Sequence, residues 1–597
     1  MPGGGLNGSL MSIGPALYDR LYRLYLGEPH PRPWLFAALL LGSLPYLQAL
    51  IATLLGPFTI DDDARQLVFW MVRWRDPELF QNDLIADYFA SVSPPGFRAA
   101  YWLPAQLGLD PVLASKFYPL ALNLVMTFYA FRLAWQLTGG RLPAAFLCAL
   151  GCAFLVAWSH IIISGTPRAF GVPLLMPFLY YTTRKSTAGV AIMTLLIAIT
   201  YPPAAALALG SLGLTLIRWR GGPRFDFSAA TLLPLVIAGL LGVSVLLIAA
   251  FDRPYGPIAT LADIRTLPMF SDGGRMPLLN ERAAFNDFGC GQLVGVVPIE
   301  WCQLVNRRPV APILLGILLA VLVWAAREAS AGRSKAERPV EWAPIVRFFV
   351  AGAILYGVAF ILMLKLHVPS RYAVTPLRVT GLFAVTMLGV LLAERTLRAA
   401  GPRITQSLAS RQWLQVALAV FTIAAFAALY PLDVSRRNVR PNYPAILSYL
   451  SNQPKTILVA GMGSVVSNIP AFARRSVLAA SEYAIPVDLG YIRRYRARVN
   501  ALIDAQYAID PAPLAKFLRQ YKVTHLIIDP AHLRPEGLRR VWWRREHATA
   551  HMRATMSLAG GAPALYRFLE RCTVFRERTQ LVISAACLIK LAAPKSR

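Results

Sequence analysis

The stretch 229–251 (AATLLPLVIAGLLGVSVLLIAAF) carries no charged side chain. A run of that length spans the hydrocarbon core of a bilayer when it folds as a helix, and a helix satisfies its own backbone hydrogen bonds there. The pattern recurs along the chain. We read about eleven spans, at 34–56, 113–137, 142–164, 169–182, 187–201, 203–218, 229–251, 311–326, 344–366, 378–394 and 412–430. The Tyr201–Pro202–Pro203 break is either a tight turn between two of them or a kink within one. The short alternating segments of a membrane β-barrel are missing, and a content of 56% hydrophobic and 15% charged residues fits membrane burial throughout. The expected fold class is a polytopic α-helical membrane protein.

The formal net charge of +29 invites a nucleic-acid reading, but the excess sits largely in short loops between apolar runs, the positions the positive-inside bias fills. Arg141, Arg184, Lys185, Arg218, Arg220, Arg224 and the arginines around 327–338 and 395–411 fall on one side. This arrangement predicts no nucleic-acid partner, a cytoplasmic N-terminus (1–33) and an uncleaved first span. A membrane domain over 34–430 would then carry large outer loops at 57–112 and 252–310, followed by a tail at 431–597.

Within the first loop, Phe80, Leu84 and Tyr88 recur at helical spacing opposite Asp83 and Asp87, which predicts a helix over 76–90 lying in the membrane interface. In the tail, β-rich runs at 456–461 and 525–529 alternate with helical patterns near 490–507 and 511–521, predicting a C-terminal α/β domain. Cys290 and Cys302 share the second loop, and Cys572 and Cys587 share the tail, so an oxidising outer compartment would permit one disulfide in each pair.

Asp61, Asp62 and Asp63 follow directly on the first span. One of them is expected to cap the following helix. Three adjacent carboxylates also repel one another, which raises at least one pKa and favours a cationic partner. They are candidates for a general base, and Asp61 and Asp63 for a shared divalent cation. Arg168, in SGTPRAFG (164–171), and Arg371, in VPSRYAVTPLR (368–378), are placed in short outer turns. Each can snorkel to headgroups or grip a phosphate through its planar fork, with Tyr372 adding a hydrogen bond or a stacking face. His160, near the outer end of the third span, reads as a packed or hydrogen-bonded helix-end residue. The arginine-rich tail stretches at 493–498 and 539–545 read as solvated faces. The sequence contains no P-loop and no HExxH motif.

Taken together, the acidic motif after the first span, the many spans, Pro369–Ser370–Arg371–Tyr372 and the tail pattern resemble the GT-C superfamily of integral-membrane glycosyltransferases. Asp62–Asp63–Ala64–Arg65 is similar to the Asp-Glu-x-Arg pattern of its bacterial members, which include aminoarabinose, mannosyl and arabinosyl transferases, with Asp here in place of Glu. The tail phrase at 468–491 is similar to that of further bacterial members. The resemblance implies hexosyl or pentosyl transfer, with inversion, from a polyprenyl-phosphate sugar to a glycan, lipid or protein acceptor, with membrane lipids as surroundings. It also implies a bacterial inner membrane, a periplasmic tail and an outward-facing site. In that site Asp62 would serve as base, Asp63 as its orienting partner or metal ligand, and Arg371 with Arg168 as phosphate ligands. Members of the superfamily differ in metal dependence, so the resemblance leaves the cofactor open, with a divalent cation as one option. The competing readings are a flippase of a lipid-linked glycan and a non-catalytic envelope assembly protein. A flippase fits less well, because transporters place ionisable groups near the midplane and often repeat their halves.

Overall fold

The structure is a computed structural model describing residues 30–56, 58–158, 161–219, 223–251, 253–271, 274–276, 340–404 and 438–592. The expected spans at 311–326 and 412–430, together with Cys290, Cys302 and His160, lie outside the described residues.

Helices occupy the remaining expected spans. They are α1 (Pro31–Leu55), then, beyond the first loop, a bundle that begins at Pro111. In the first loop, β1 (Ile60–Asp61) leads into α2 (Asp62–Leu67), followed by α3 (Leu84–Val92) and α4 (Pro95–Gln106). The bundle continues with α5 (Pro111–Leu137), α6 (Leu142–Trp158), α7 (Gly171–Thr183), α8 (Thr187–Thr200), α9 (Pro202–Gly213), an antiparallel pair β2 (Ile217–Trp219) and β3 (Pro223–Phe225) where the expected 203–218 span ends, and α10 (Ala229–Phe251). It ends with α11 (Ala343–Leu362) and α12 (Ser370–Ile404). Tyr201 separates α8 from α9, so the proline pair opens a new helix, where a missing N–H costs nothing.

Among the described residues, the segments Pro31–Leu55, Pro111–Leu137, Ala229–Ile248 and Arg371–Leu392 are long and apolar enough to cross a membrane, and the other bundle helices are shorter and apolar. Each helix packs on its neighbours in a closed circuit: α1 on α5 and α6, α5 on α7, α7 on α8, α8 on α9 and α10, α9 on α11, α11 on α12, and α12 back on α6. Large apolar side chains remain on the outside of α1 and α10, with Phe36, Leu55, Leu240 and Ile248 all exposed. An outward apolar surface of that kind suits lipid and is costly in water.

The tail begins with β4 (Asn438–Val439), which pairs antiparallel with β1. Its centre is a five-stranded sheet made of β5 (Leu458–Gly461), β6 (Ser476–Val477), β7 (His525–Ile528), β8 (Thr573–Glu577) and β9 (Gln580–Ser584), in the order β6-β5-β7-β9-β8. The β6, β5 and β7 strands run parallel, and β9 and β8 extend the sheet antiparallel. Strands β7 and β9 read as nearly unbroken apolar runs, as strands covered on both faces do. The parallel crossover from β5 to β7 includes α13 (Leu489–Gln506) and α14 (Pro511–Gln520). Cys572 and Cys587 are joined in a disulfide, with Cα atoms 5.5 Å apart.

The first loop differs from the sequence expectation. The helix expected over 76–90 starts only at Leu84, because the Asp83 carboxylate accepts from the N–H groups of Ile85 and Ala86 and so caps it. Phe80 and Asn82 before it have positive φ, which breaks any longer helix. The apolar face does not lie in the interface either. The Tyr88 ring stacks on Tyr491 at 3.6 Å and its hydroxyl donates to buried Asp488 at 3.0 Å, so this face docks the tail. Around it, Phe69 meets Tyr483, Phe58 meets Phe472, and Arg474 pairs with Asp110 at 2.7 Å. The second loop joins the same seam, with Arg253 on Asp488 at 2.9 Å and the Ala259 N–H on the Val487 carbonyl at 2.8 Å.

Candidate active site at the loop–tail seam

The three aspartates take three different positions. Asp61 ends β1 and caps α2: its Oδ1 accepts from the N–H groups of Asp63, at 3.0 Å, and Ala64. It is 5% exposed, and its Oδ2 is buried without a hydrogen-bond partner. Burial, reinforced by the neighbouring Asp63 charge, pushes its carboxyl up to about 7. Asp62, on the first turn of α2, keeps an accessible side chain, 44% exposed, and receives Arg65 Nη2 at 2.6 Å. Asp63 pairs with Arg168, which lies in the 3-10 turn Pro167–Phe170.

Both candidate ligands of a shared cation already have partners, although Asp61 Oδ2 has none. Asp61 spends one oxygen on backbone N–H groups, and Asp63 faces a guanidinium. The described residues contain no group of three or more His, Cys, Asp or Glu side chains arranged to hold a metal.

Arg65 is a site residue that the sequence signalled only as part of the motif. It is nearly fully buried. Its Nη1 donates to Asn468 at 2.6 Å, and its Nη2 is shared between Asp62 and Glu482, the latter at 2.8 Å. Glu482 also receives Arg275 of the second loop at 2.6 Å.

The arginine side of the site centres on His367, which the sequence reading passed over. Arg371 does not lie in a turn: α12 already starts at Ser370, and Pro376 is accommodated within it. A bundle helix tolerates that proline because a neighbour can approach the freed carbonyl. Here α11 comes so close that a Cβ on Gly352 would meet Pro376 at 2.6 Å and the Tyr372 carbonyl at 2.8 Å. Arg371 therefore stands on the first turn of a helix, whose N-terminal partial charge also favours anions. Tyr372 does not face the same way. Its ring is buried and its hydroxyl donates to the Leu366 carbonyl at 2.6 Å, so it braces the turn instead of meeting a phosphate.

That turn holds His367 at φ 70° and ψ −173°, a region otherwise left to glycine. The Val368 N–H donates to His367 Nδ1 at 2.7 Å, so the neutral ring carries its proton on Nε2, a donor. Burial, then the charges of Arg371, Arg168 and Arg253, hold the imidazole below its usual range. Because the side chain keeps accessible surface, the three arginines are the firmer of these causes. Arg168 thus links the two halves of the site, paired with Asp63 and acting on His367.

Fold and site together define a multi-helix membrane protein with an acid–arginine centre at one end of its bundle, sealed by a tail. No protein-family model matches the sequence, and the curated proteins give no significant match. Among solved structures, the chain is similar to the oligosaccharyltransferase of Archaeoglobus fulgidus tethered with an acceptor peptide containing the NVT sequon. The identity is 10%, over 87% of this chain and 72% of that one, with a TM-score of 0.44. It is also similar to AglB, the archaeal oligosaccharyltransferase from the same organism, in complex with an inhibitory peptide and a dolichol-phosphate. There the identity is 12%, over 85% of this chain and 70% of that one, with a TM-score of 0.37. Likeness at this level assigns no residue role and no substrate here.

Proposed function

We propose that this protein is a membrane glycosyltransferase, transferring a hexose or pentose with inversion from a polyprenyl-phosphate donor to an acceptor hydroxyl. The site faces the periplasm of a bacterial inner membrane, and the acceptor is a glycan, lipid or protein. One observation carries the reading: an accessible carboxylate, Asp62, sits one residue from an Asp63–Arg168 pair that leads to His367 and Arg371. Those contacts support the reading of a carboxylate base beside arginine ligands for a phosphate.

In the reaction, Asp62 takes the acceptor hydroxyl proton as the oxygen attacks the anomeric carbon. The bond from that carbon to the phosphate oxygen breaks on the opposite face, and its electron pair leaves with the polyprenyl phosphate. Arg371 and the His367 Nε2–H stabilise that departing charge, while Arg168 holds Asp63 in place. General-base help of this kind contributes about 10²–10⁴-fold.

The test is mass spectrometry of envelope glycans and glycolipids from wild-type, deletion and deletion strains complemented with Asp62→Asn. The expected result is loss of one hexose- or pentose-sized increment in both mutants. Full rescue by Asp62→Asn removes Asp62 as base, and an unchanged glycan accumulating on the wrong face indicates transport instead.

A further inference from the structure

We infer that Glu482 of the tail is a positioning residue for Asp62, acting through Arg65, so that the tail completes the reacting centre. The inference rests on the transferase reading above. Arg65 is a long side chain with much rotamer freedom to lose on ordering. Its own helix supplies one contact, Asp62. The tail supplies the others: Asn468 on Nη1 at 2.6 Å and Glu482 on Nη2 at 2.8 Å. Those contacts fix both ends of the guanidinium fork, and a fixed fork leaves Asp62 Oδ1 a single place to bind.

Glu482 is held in turn. Its side chain is 13% exposed, Arg275 of the second loop reaches its other oxygen at 2.6 Å, and Gln66 of α2 donates to its backbone carbonyl. Two separate segments, α2 and the second loop, therefore converge on this tail carboxylate, two contacts away from the base. The seam has other ion pairs, such as Arg474 with Asp110 and Lys455 with Asp76, but these touch no residue of the reacting centre. Docking and positioning are thus separable by mutation.

The experiment complements the deletion strain with Glu482→Gln, Glu482→Asp, Arg474→Ala and Asp62→Asn at matched membrane levels. It reads the fraction of envelope product by mass spectrometry and tail docking by limited proteolysis of the full chain. Glu482→Gln is expected to lower product formation roughly tenfold or more, as a displaced catalytic group does. Glu482→Asp should recover most of it, Arg474→Ala should match wild type, and the tail should stay protected in all four. Wild-type product from Glu482→Gln overturns the inference. So does an equal loss in Glu482→Gln and Arg474→Ala with a protease-sensitive tail, which reduces Glu482 to docking. Full activity of Asp62→Asn fails the transferase site itself, a distinct outcome.

Discussion

At the scale of single residues, the aspartate run divides its labour by burial. Asp61 has a carboxyl near the pH of base catalysis, but its free oxygen has no surface, whereas Asp62 has both surface and an arginine to hold it. Because Asp61 is raised from 3.8 to about 7 in the folded protein, the native state binds its proton more tightly than the unfolded chain does. Stability therefore falls as pH climbs from about 4 to about 7 and levels off above that. Asparagine caps a helix as well as aspartate and has no charge to bury. Asp61→Asn is expected to melt at a higher temperature than wild type at pH 8, with the gap closing by pH 4, in thermal unfolding of the purified protein. The proposed phosphate ligands give a second prediction. Arg371→Lys keeps the charge but loses the bidentate fork, so product formation should fall, and wild-type turnover in that variant would remove Arg371 from the site.

At the scale of elements, what was legible depended on which forces were local. The apolar runs and the β-rich tail runs fixed their own secondary structure, because composition and periodicity decide a span or a buried strand without outside help. The starts of α3 and α12 were not legible. Asp83 could have been read as one more residue on a helix face, and only its contact with two N–H groups shows it as the cap. The expected outer turn at 368–378 is instead the start of α12 with Pro376 inside it, and the close approach of Gly352 on α11 is a tertiary fact that no local pattern carries. His367 left no trace in the sequence, since its role comes from a backbone twist and from arginines of which two, Arg168 and Arg253, lie in distant segments. The packing at Gly352 is testable. Gly352→Val should force α11 away from α12 and destabilise the bundle by about 1–3 kcal/mol. A lowered melting midpoint, accompanied by weaker product formation as the Arg371 turn shifts, would register it.

At the scale of the whole molecule, the seam between loops and tail is the organising feature, built from stacked tyrosines, a buried Asp488 and a belt of ion pairs. The Cys572–Cys587 bridge closes a separation of 15 residues near the sheet's far edge. A loop of that size contributes about 3 kcal/mol in the chain-entropy account. Replacing both cysteines by serine should therefore lower the tail's unfolding midpoint, and adding reductant to wild type should reproduce the shift. The short pairing of β1 with β4 has a consequence in time. Ile60 and Asp61 are made early and Asn438 and Val439 late. At about 5–20 residues per second of synthesis, the two strands emerge tens of seconds apart. Through that interval β1 has no strand to pair with, so the first loop and its aspartates wait for the tail before their local structure closes.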